Sequence, residues 1–290
     1  MKKIPLVSLV LFLILSIGFC FTGCADYVTQ QKYENADAYA VGDQTYNSEV
    51  TTLNVDWLCG SLTLIEKEDA TEITLKETGS KLSDKTKMRS YLSEGVLDVK
   101  FWKSGYRSTT KDCDKDLVIT LPSVRYLNLK LTSGKFSAEK LTAKVIHLTM
   151  TSGSATVGDL SADEITLIKT SGSTSVRSLS AKEATVQSSS GKFAIRKCAA
   201  ENFSSDLTSG ELDVDFLSLG SAEMRMTSGT VRIGLPSGGA TIDVRKTTGE
   251  IKTSLDYEKD GSEYLFGKGE SRIEFHMTSG TLRVANAENG

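Results

Sequence analysis

Residues 151–169, TSGSATVGDLSADEITLIK, run directly into residues 170–188, TSGSTSVRSLSAKEATVQS. Laid one above the other, the two blocks keep Thr-Ser-Gly at the head and Leu-Ser-Ala in the middle. The same triplet position recurs at Gly134, Gly153, Gly172, Gly191, Gly210 and Gly229, nineteen residues apart each time, then at Gly249 after twenty and at Gly280 after thirty-one. A fixed period of this length marks a repeat architecture.

The side chains around the glycine decide which architecture. Two residues after it stand Phe136, Ala155, Thr174, Phe193, Leu212 and Val231, and four after it Ala138, Val157, Val176, Ile195, Val214 and Ile233. Between them lie Ser137, Thr156, Ser175, Ala194, Asp213 and Arg232, a period-two alternation that reads as a half-buried strand. A second alternating strand precedes each glycine, with Leu127, Ile146 and Ile165 facing one way and Asn128, His147 and Thr166 the other. The expected fold is all-β, a parallel β-solenoid or β-helix with coils of about 19 residues cornered at Thr-Ser-Gly. One such coil buries too little apolar surface to stand alone, so stacking must supply the stability.

The regular coils are expected over residues 113–285, within a body of residues 49–286. Nineteen residues before Gly134 lies Lys115, followed by Leu117, Ile119 and Leu121 on the inward register. Leu53, Val55 and Trp57 before Gly60, and Leu62 and Leu64 after it, fit the same template in irregular first coils that extend to about residue 112. A charged excursion at residues 81–89 is expected to form the cap a solenoid end requires. The extra residues before Gly280, around 257–270, are expected to form a loop or hairpin projecting from the last full coil.

The N-terminus is a separate object. Lys2 and Lys3 precede an uncharged, mostly apolar run to Cys24, the layout of an export signal. That run is barely long enough for an uncleaved membrane helix. Thr22-Gly23-Cys24 instead resembles a bacterial lipobox, although Phe21 stands where an aliphatic residue is usual; Cys20, after the bulky Phe19, fits poorly. The expected arrangement is a lipoprotein signal peptide over residues 1–23, palmitate-type lipidation at Cys24, and a polar tether over residues 24–48. Several acyl chains on one cysteine anchor a protein stably. The chain would then sit on the extracytoplasmic face of the cell membrane.

Composition excludes other classes. Without Lys2 and Lys3, 32 cationic residues face 37 acids, a formal net charge of −5. Nucleic-acid binders carry a basic patch or stripe, so no nucleic-acid partner is expected. Once Cys24 is acylated, Cys59, Cys113 and Cys198 remain, an odd number that points away from a disulfide framework. Cys198 fills a leucine slot as a small core residue; a Cys59–Cys113 bridge stays open.

Few residues suggest chemistry. His147 and His276 lie on outward positions of distant coils without a ligand partner at suitable spacing, and no Gly-x-Ser-x-Gly elbow occurs. Glu211, Asp213 and Asp215 share an outward ridge that could hold a weak Ca²⁺ site or an acid-base pair acting on polysaccharide. A solvated charged face is the simpler reading, with Arg225, Arg232 and Arg245 near enough to pair with it. Ser154, Thr156, Ser173, Ser175, Thr166 and Thr185 form a hydroxyl-rich belt that a regular ligand array could meet, interrupted by Lys135, Lys182 and Lys192. No catalytic residue, cofactor or bound metal is expected.

The repeated Thr-Ser-Gly corners, the alternating strands, Leu121-Pro122-Ser123 and Leu235-Pro236-Ser237 at matching corners, and the export signal resemble the DUF4097 family of bacterial adhesin-like β-strand repeat proteins. The resemblance implies a right-handed parallel β-solenoid on the cell surface and no catalytic residues. It also implies a non-catalytic adhesion or interaction module, with a surface glycan, cell-wall polymer or envelope protein as partner. The alternative it implies is a structural or sensing role in an envelope stress response; a carbohydrate-active enzyme ranks below both. Replacing Cys24 by Ala is expected to abolish palmitate incorporation and release the chain from membranes, read by metabolic labelling and fractionation; label persisting in the variant would refute the lipobox.

Overall fold

The computed structural model describes residues 29–47, 49–108 and 113–288. The signal peptide and Cys24 lie outside the described residues. Strands dominate, and all but the pair Thr29–Gln30 and Arg107–Ser108 join one continuous, mostly parallel 22-stranded sheet. The chain is a β-solenoid.

Ser154–Lys169, Ser173–Ser188, Lys192–Leu207 and Glu211–Met226 are continuous strands of 16 residues, each paired in parallel with the next. The pairing follows the nineteen-residue period, with Ala155 beside Thr174, Leu160 beside Leu179 and Leu167 beside Val186. The ladder skips Gly158 and Asp163, so each coil divides into three straight runs before the Thr-Ser-Gly corner closes it. The expected inward columns form the core, including Leu160, Leu179 and Cys198.

The corner explains its own residues. Gly134, Gly153 and Gly172 have φ of 103°, 96° and 89°, where a side chain is strained. A Cβ on Gly153 would lie 2.1 Å from the carbonyl oxygen of Gly134, and one on Gly172 2.1 Å from that of Gly153. The serine works between coils rather than within the turn: Ser152 Oγ donates to the Thr132 carbonyl at 3.2 Å and Ser190 Oγ to that of Thr170 at 3.0 Å.

Stacking order departs from sequence order at both ends. The coil beneath Gly134 is that of Gly60, with Leu53 beside Leu127 and Leu62 beside Phe136. Lys115–Leu121, expected there from the count of nineteen, lies one rung further out, on the far side of Ser61–Glu66. At the other end Ser271–Met277 inserts between Glu211–Met226 and Gly239–Lys246, and Thr281–Asn286 between Thr230–Leu235 and Glu250–Thr253. Gly280 therefore stacks on Gly229, and Gly249 on Gly280.

Antiparallel strands close both ends. Ile73–Gly79 lies on Lys115–Leu121, and Arg89–Ser93 on Val96–Lys100 through a tight turn at Glu94 and Gly95, both with positive φ. The expected C-terminal hairpin exists as Glu258–Asp260 and Glu263–Gly267, but its second strand pairs with Gly239–Lys246, so it covers the end of the stack instead of projecting. Covering strand edges in this way blocks edge-to-edge aggregation.

The polar segment read as a tether is, over residues 29–47, part of the N-terminal cap. Ala40–Val41 pairs with Arg89–Ser93 and Gln44–Tyr46 with Ile73–Gly79. Gln31 is buried and accepts a bond from the Phe101 amide at 3.0 Å, and Tyr33 Oη donates to the Trp102 carbonyl at 2.8 Å. Beneath, Lys115 Nζ bonds Glu77 Oε1 at 2.5 Å and the carbonyls of Thr86 and Phe101, with the Trp57 and Phe101 rings over it. The cysteine count misled: Cys59 and Cys113 form a disulfide, Cα atoms 5.3 Å apart. Closing a loop of 54 residues contributes about 4 kcal/mol in the chain-entropy account. Cys198 is free and buried in the core, so the odd cysteine needs no partner.

Several inward positions of the regular coils are polar, Thr174, Ser188 and Ser205 among them, and one carries a charge. Lys169 occupies the column of Met150 and Leu207, is 2% exposed, and its Nζ has no hydrogen-bond partner among the described residues. It fits because the neighbouring corner lacks a side chain: a Cβ on Gly191 would lie 2.7 Å from Lys169 Cδ. Burial pushes its pKa down to about 8. The unfolded chain holds this proton below about pH 10.4, so the folded state is penalised at pH 8 and below, by on the order of 3 kcal/mol, and the penalty fades as pH rises from 8 to 10.4. Lys169→Met is expected to raise the urea midpoint at pH 7 and to remove this part of the pH dependence, measured as the difference between the two proteins from pH 7 to 10.5.

Candidate functional site

The acidic ridge after Gly210 begins the strand Glu211–Met226. Alternation places Glu211, Asp213 and Asp215 on one ridge, and Asp213 and Asp215 share Arg232, but Asp215 is covered, its side chain only 1% exposed. Space for it comes from Gly234 on the adjacent rung, where a Cβ would lie 2.0 Å from Asp215 Oδ1.

Cations divide the three carboxylates. Lys192 Nζ lies 2.9 Å from Glu211 Oε1. Arg232 Nη1 donates to Asp213 Oδ1 at 2.8 Å and Asp215 Oδ1 at 2.7 Å, while its Nη2 reaches Glu288 Oε1 at 3.1 Å. Arg196 Nη1 donates to Asp213 Oδ2 at 2.9 Å and lies 3.5 Å from Asp215 Oδ2. Burial opposes the charge on Arg232, and its bonds to Asp215 and Asp213 outweigh that and hold its pKa above the ordinary value. Guanidinium groups thus occupy the carboxylate faces that a Ca²⁺ ion or a substrate proton would need. Among the described residues no cluster of three His, Cys, Asp or Glu could hold a metal. The Glu288 amide also approaches Asp215 at 3.4 Å, so the network fastens the end of the chain. Of the arginines expected here only Arg232 takes part; Arg225 pairs with Glu223 and Arg245 with Asp243. Arg196, one rung away, was missed because it sits at the bend, outside the alternating positions.

The hydroxyl belt is more continuous than the period implies. Thr156 lies beside Ser175, and the ladder extends it through Ser137 to Thr63, whose hydroxyl is 3.0 Å from that of Ser137. Four successive rungs therefore present hydroxyls along the floor of a shallow trough of about 460 Å³. Ile65, 40% exposed, lies along it, and Arg177 bonds Glu139 at 2.7 Å and Asp159 at 3.0 Å. Gly158 leaves the room for Arg177 to reach across: a Cβ there would lie 2.8 Å from Nη2. On the other strand face Thr166, Thr185 and Ser204 align, with 2.9 Å between the last two hydroxyls. Thr63 was missed because the sequence gives no sign that its coil sits beneath Ser137. His147 is outward as expected, 3.6 Å from Glu164.

The DUF4097 profile, described as Toastrack, matches residues 51–285. The chain belongs to this family. Among solved structures, the fold of this DUF4097 chain is similar to a "putative adhesin" from Bacteroides fragilis, with 13% identity, a TM-score of 0.50, and 84% of this chain and 97% of that one covered. A protein of the same description from Parabacteroides merdae has 14% identity, a TM-score of 0.42, and coverage of 84% and 95%. At such identity the likeness concerns the fold alone. No curated protein matches the sequence significantly. No helix among the described residues is long and apolar enough to cross a membrane.

Arg232→Ala should strand the buried Asp215 beside a single exposed arginine and cost about 2–4 kcal/mol. Arg196→Ala, which removes a side chain 44% exposed, should cost under about 1 kcal/mol. Chemical denaturation of both variants checks the order; equal losses would refute the division of roles.

Proposed function

We propose that this DUF4097 chain is a non-catalytic adhesion or interaction module held on the extracytoplasmic face of the cell membrane by lipid on Cys24. The observation that carries the reading is the hydroxyl trough, in which Thr63, Ser137, Thr156 and Ser175 repeat at the rung spacing along a rigid surface. Strands in a sheet lie about 4.8 Å apart, so a ligand that repeats along its own length can meet equivalent donors on each rung. Binding of this kind needs no activated group. The charged side chains best placed for acid-base work, Asp213 and Asp215, are engaged by Arg196 and Arg232. A surface glycan, a cell-wall polymer or a repetitive envelope protein has the chemistry to use the trough.

A panel of cell-wall polymers and neutral glycans titrated against the full chain tests this. A saturable partner is expected, weakened about tenfold when Thr156 and Ser175 are both replaced by Val, since each lost hydrogen bond costs about 0.5–1.5 kcal/mol. Failure to bind any member at high micromolar concentration, or turnover of any of them, would overturn the reading.

A further inference from the structure

On the other side of the corner, the rungs at the C-terminal end carry a different pattern. Just before their corners they read Arg225-Met226-Thr227, His276-Met277-Thr278 and Arg245-Lys246-Thr247. The inserted C-terminal strand sets His276 between the arginines of two successive coils: Arg225 is in register with His276, and His276 with Arg245. Met226 and Met277 point into the core, whereas Lys246 at the end of the stack is exposed. Each rung thus presents a basic side chain and, two residues on, an exposed threonine, and the outermost rung adds Lys246. The corresponding pairs on the four preceding rungs, Thr149 and Thr151, Ile168 and Thr170, Gln187 and Ser189, Asp206 and Thr208, contain no cation. The basic row lines a trough of about 670 Å³, bounded by Asp206, which is in register with Arg225.

Acids stand beside the row without closing it. Glu223, Glu274 and Asp243 form the adjacent column; Arg225 bonds Glu223 at 2.5 Å and Arg245 bonds Asp243 at 3.3 Å. Both guanidinium side chains remain more than 60% exposed. Exposed pairs of this kind contribute about 0–1 kcal/mol, less than an anion gains from guanidinium and hydroxyl donors together. Lys246 Nζ donates to the Gly249 carbonyl at 2.9 Å; the Lys252 ion pair, and behind it the charge of Lys246, hold the Glu250 carboxyl below its ordinary pKa.

We propose that this row is a ledge for a linear polyanion running along the solenoid axis, one phosphate, sulfate or carboxylate group per rung. Arginine supplies paired donors, the threonine hydroxyl a further one, and His276 fills the central rung. The rung spacing of about 4.8 Å sets the repeat the ligand must match. Asp206 limits the ledge to three rungs by repelling the next anionic group. This surface is separate from the hydroxyl trough, and neither site needs the other.

The test is fluorescence anisotropy of the full chain with labelled inorganic polyphosphate, and in a second arm with polygalacturonate. Binding that weakens with salt is expected in at least one arm, and the arm that binds identifies phosphate or carboxylate as the preferred group. The double variant R225Q/R245Q should lose about tenfold or more in affinity at an unchanged melting temperature, because two charge contacts go. Asp206→Asn should bind severalfold more tightly, and Lys197→Gln, on an exposed site away from the row, should bind as wild type. Absence of binding in both arms at low salt, or undiminished binding by R225Q/R245Q, would overturn the ledge. The neutral-glycan panel reports separately on the hydroxyl trough, so failure of one site is distinguishable from failure of the other.

Discussion

Every coil is held by the contact between one corner glycine and the backbone of the glycine before it. At Gly134, Gly153 and Gly172 a would-be Cβ lies 2.1 Å from the carbonyl oxygen of the corner glycine beneath, so only glycine permits the approach. The amide after each glycine donates to that same carbonyl, as Ser154 does to Gly134 at 3.0 Å, and the serine hydroxyl bonds the coil before it. With the rise fixed at the corner, the inward columns fall into line and the ladder forms along the remaining length. Gly191 and Gly210 show what happens when the contact relaxes. Neither has positive φ, and around Gly191 the nearest obstacle is Lys169 rather than the Gly172 carbonyl. The charged intruder in the column and the loosened corner at Gly191 are the same event, and the polar Ser188 beside it accepts the Gly191 amide at 2.9 Å.

This constraint also sets how much of the molecule a reader of the sequence can recover. The period reports the phase of each residue in its coil, which is why Leu160, Leu179 and Cys198 fall in the core as the spacing of their coils requires. Phase carries no information about which coil lies above which. Gly60 satisfies the template as well as Gly134 does, and nothing local to either says that they touch. The same blindness hid Thr63 from the hydroxyl belt and placed Gly280 after Gly249 instead of before it. The N-terminal segment failed for a different reason: Ala40–Val41 and Gln44–Tyr46 are too short to show alternation, so tyrosines that pack read as tyrosines in a tether. At Asp215 the alternation carried no sign of burial, because the cover comes from Arg232 on the next rung and from Glu288, 73 residues further along the chain.

The two ends solve one problem with one device. A parallel ladder leaves an edge that will pair with any other strand, and in both caps an antiparallel strand covers it. Such a strand must come from a chain that has already passed the end and turned back, so the intervening segment has to be accommodated. At the N-terminal end it supplies the outer rungs Val96–Lys100 and Lys115–Leu121, clamped by the Cys59–Cys113 bond and by Lys115 between Glu77 and two aromatic rings.

At the C-terminal end the returning segment is inserted between two coils instead of outside them, and this carries a consequence for the surface. Interior rungs are neighbours by repetition, so their outward residues drift slowly along the stack. An inserted rung brings in a residue that sequence order would place elsewhere, as it does for His276, set between Arg225 and Arg245 of successive coils. The contacts that close the fold therefore also decide where the surface stops being periodic, and recognition of a particular ligand needs a departure from periodicity. A solenoid with a perfect repeat could bind a polymer anywhere along its length. The insertion gives this one a defined place to do so.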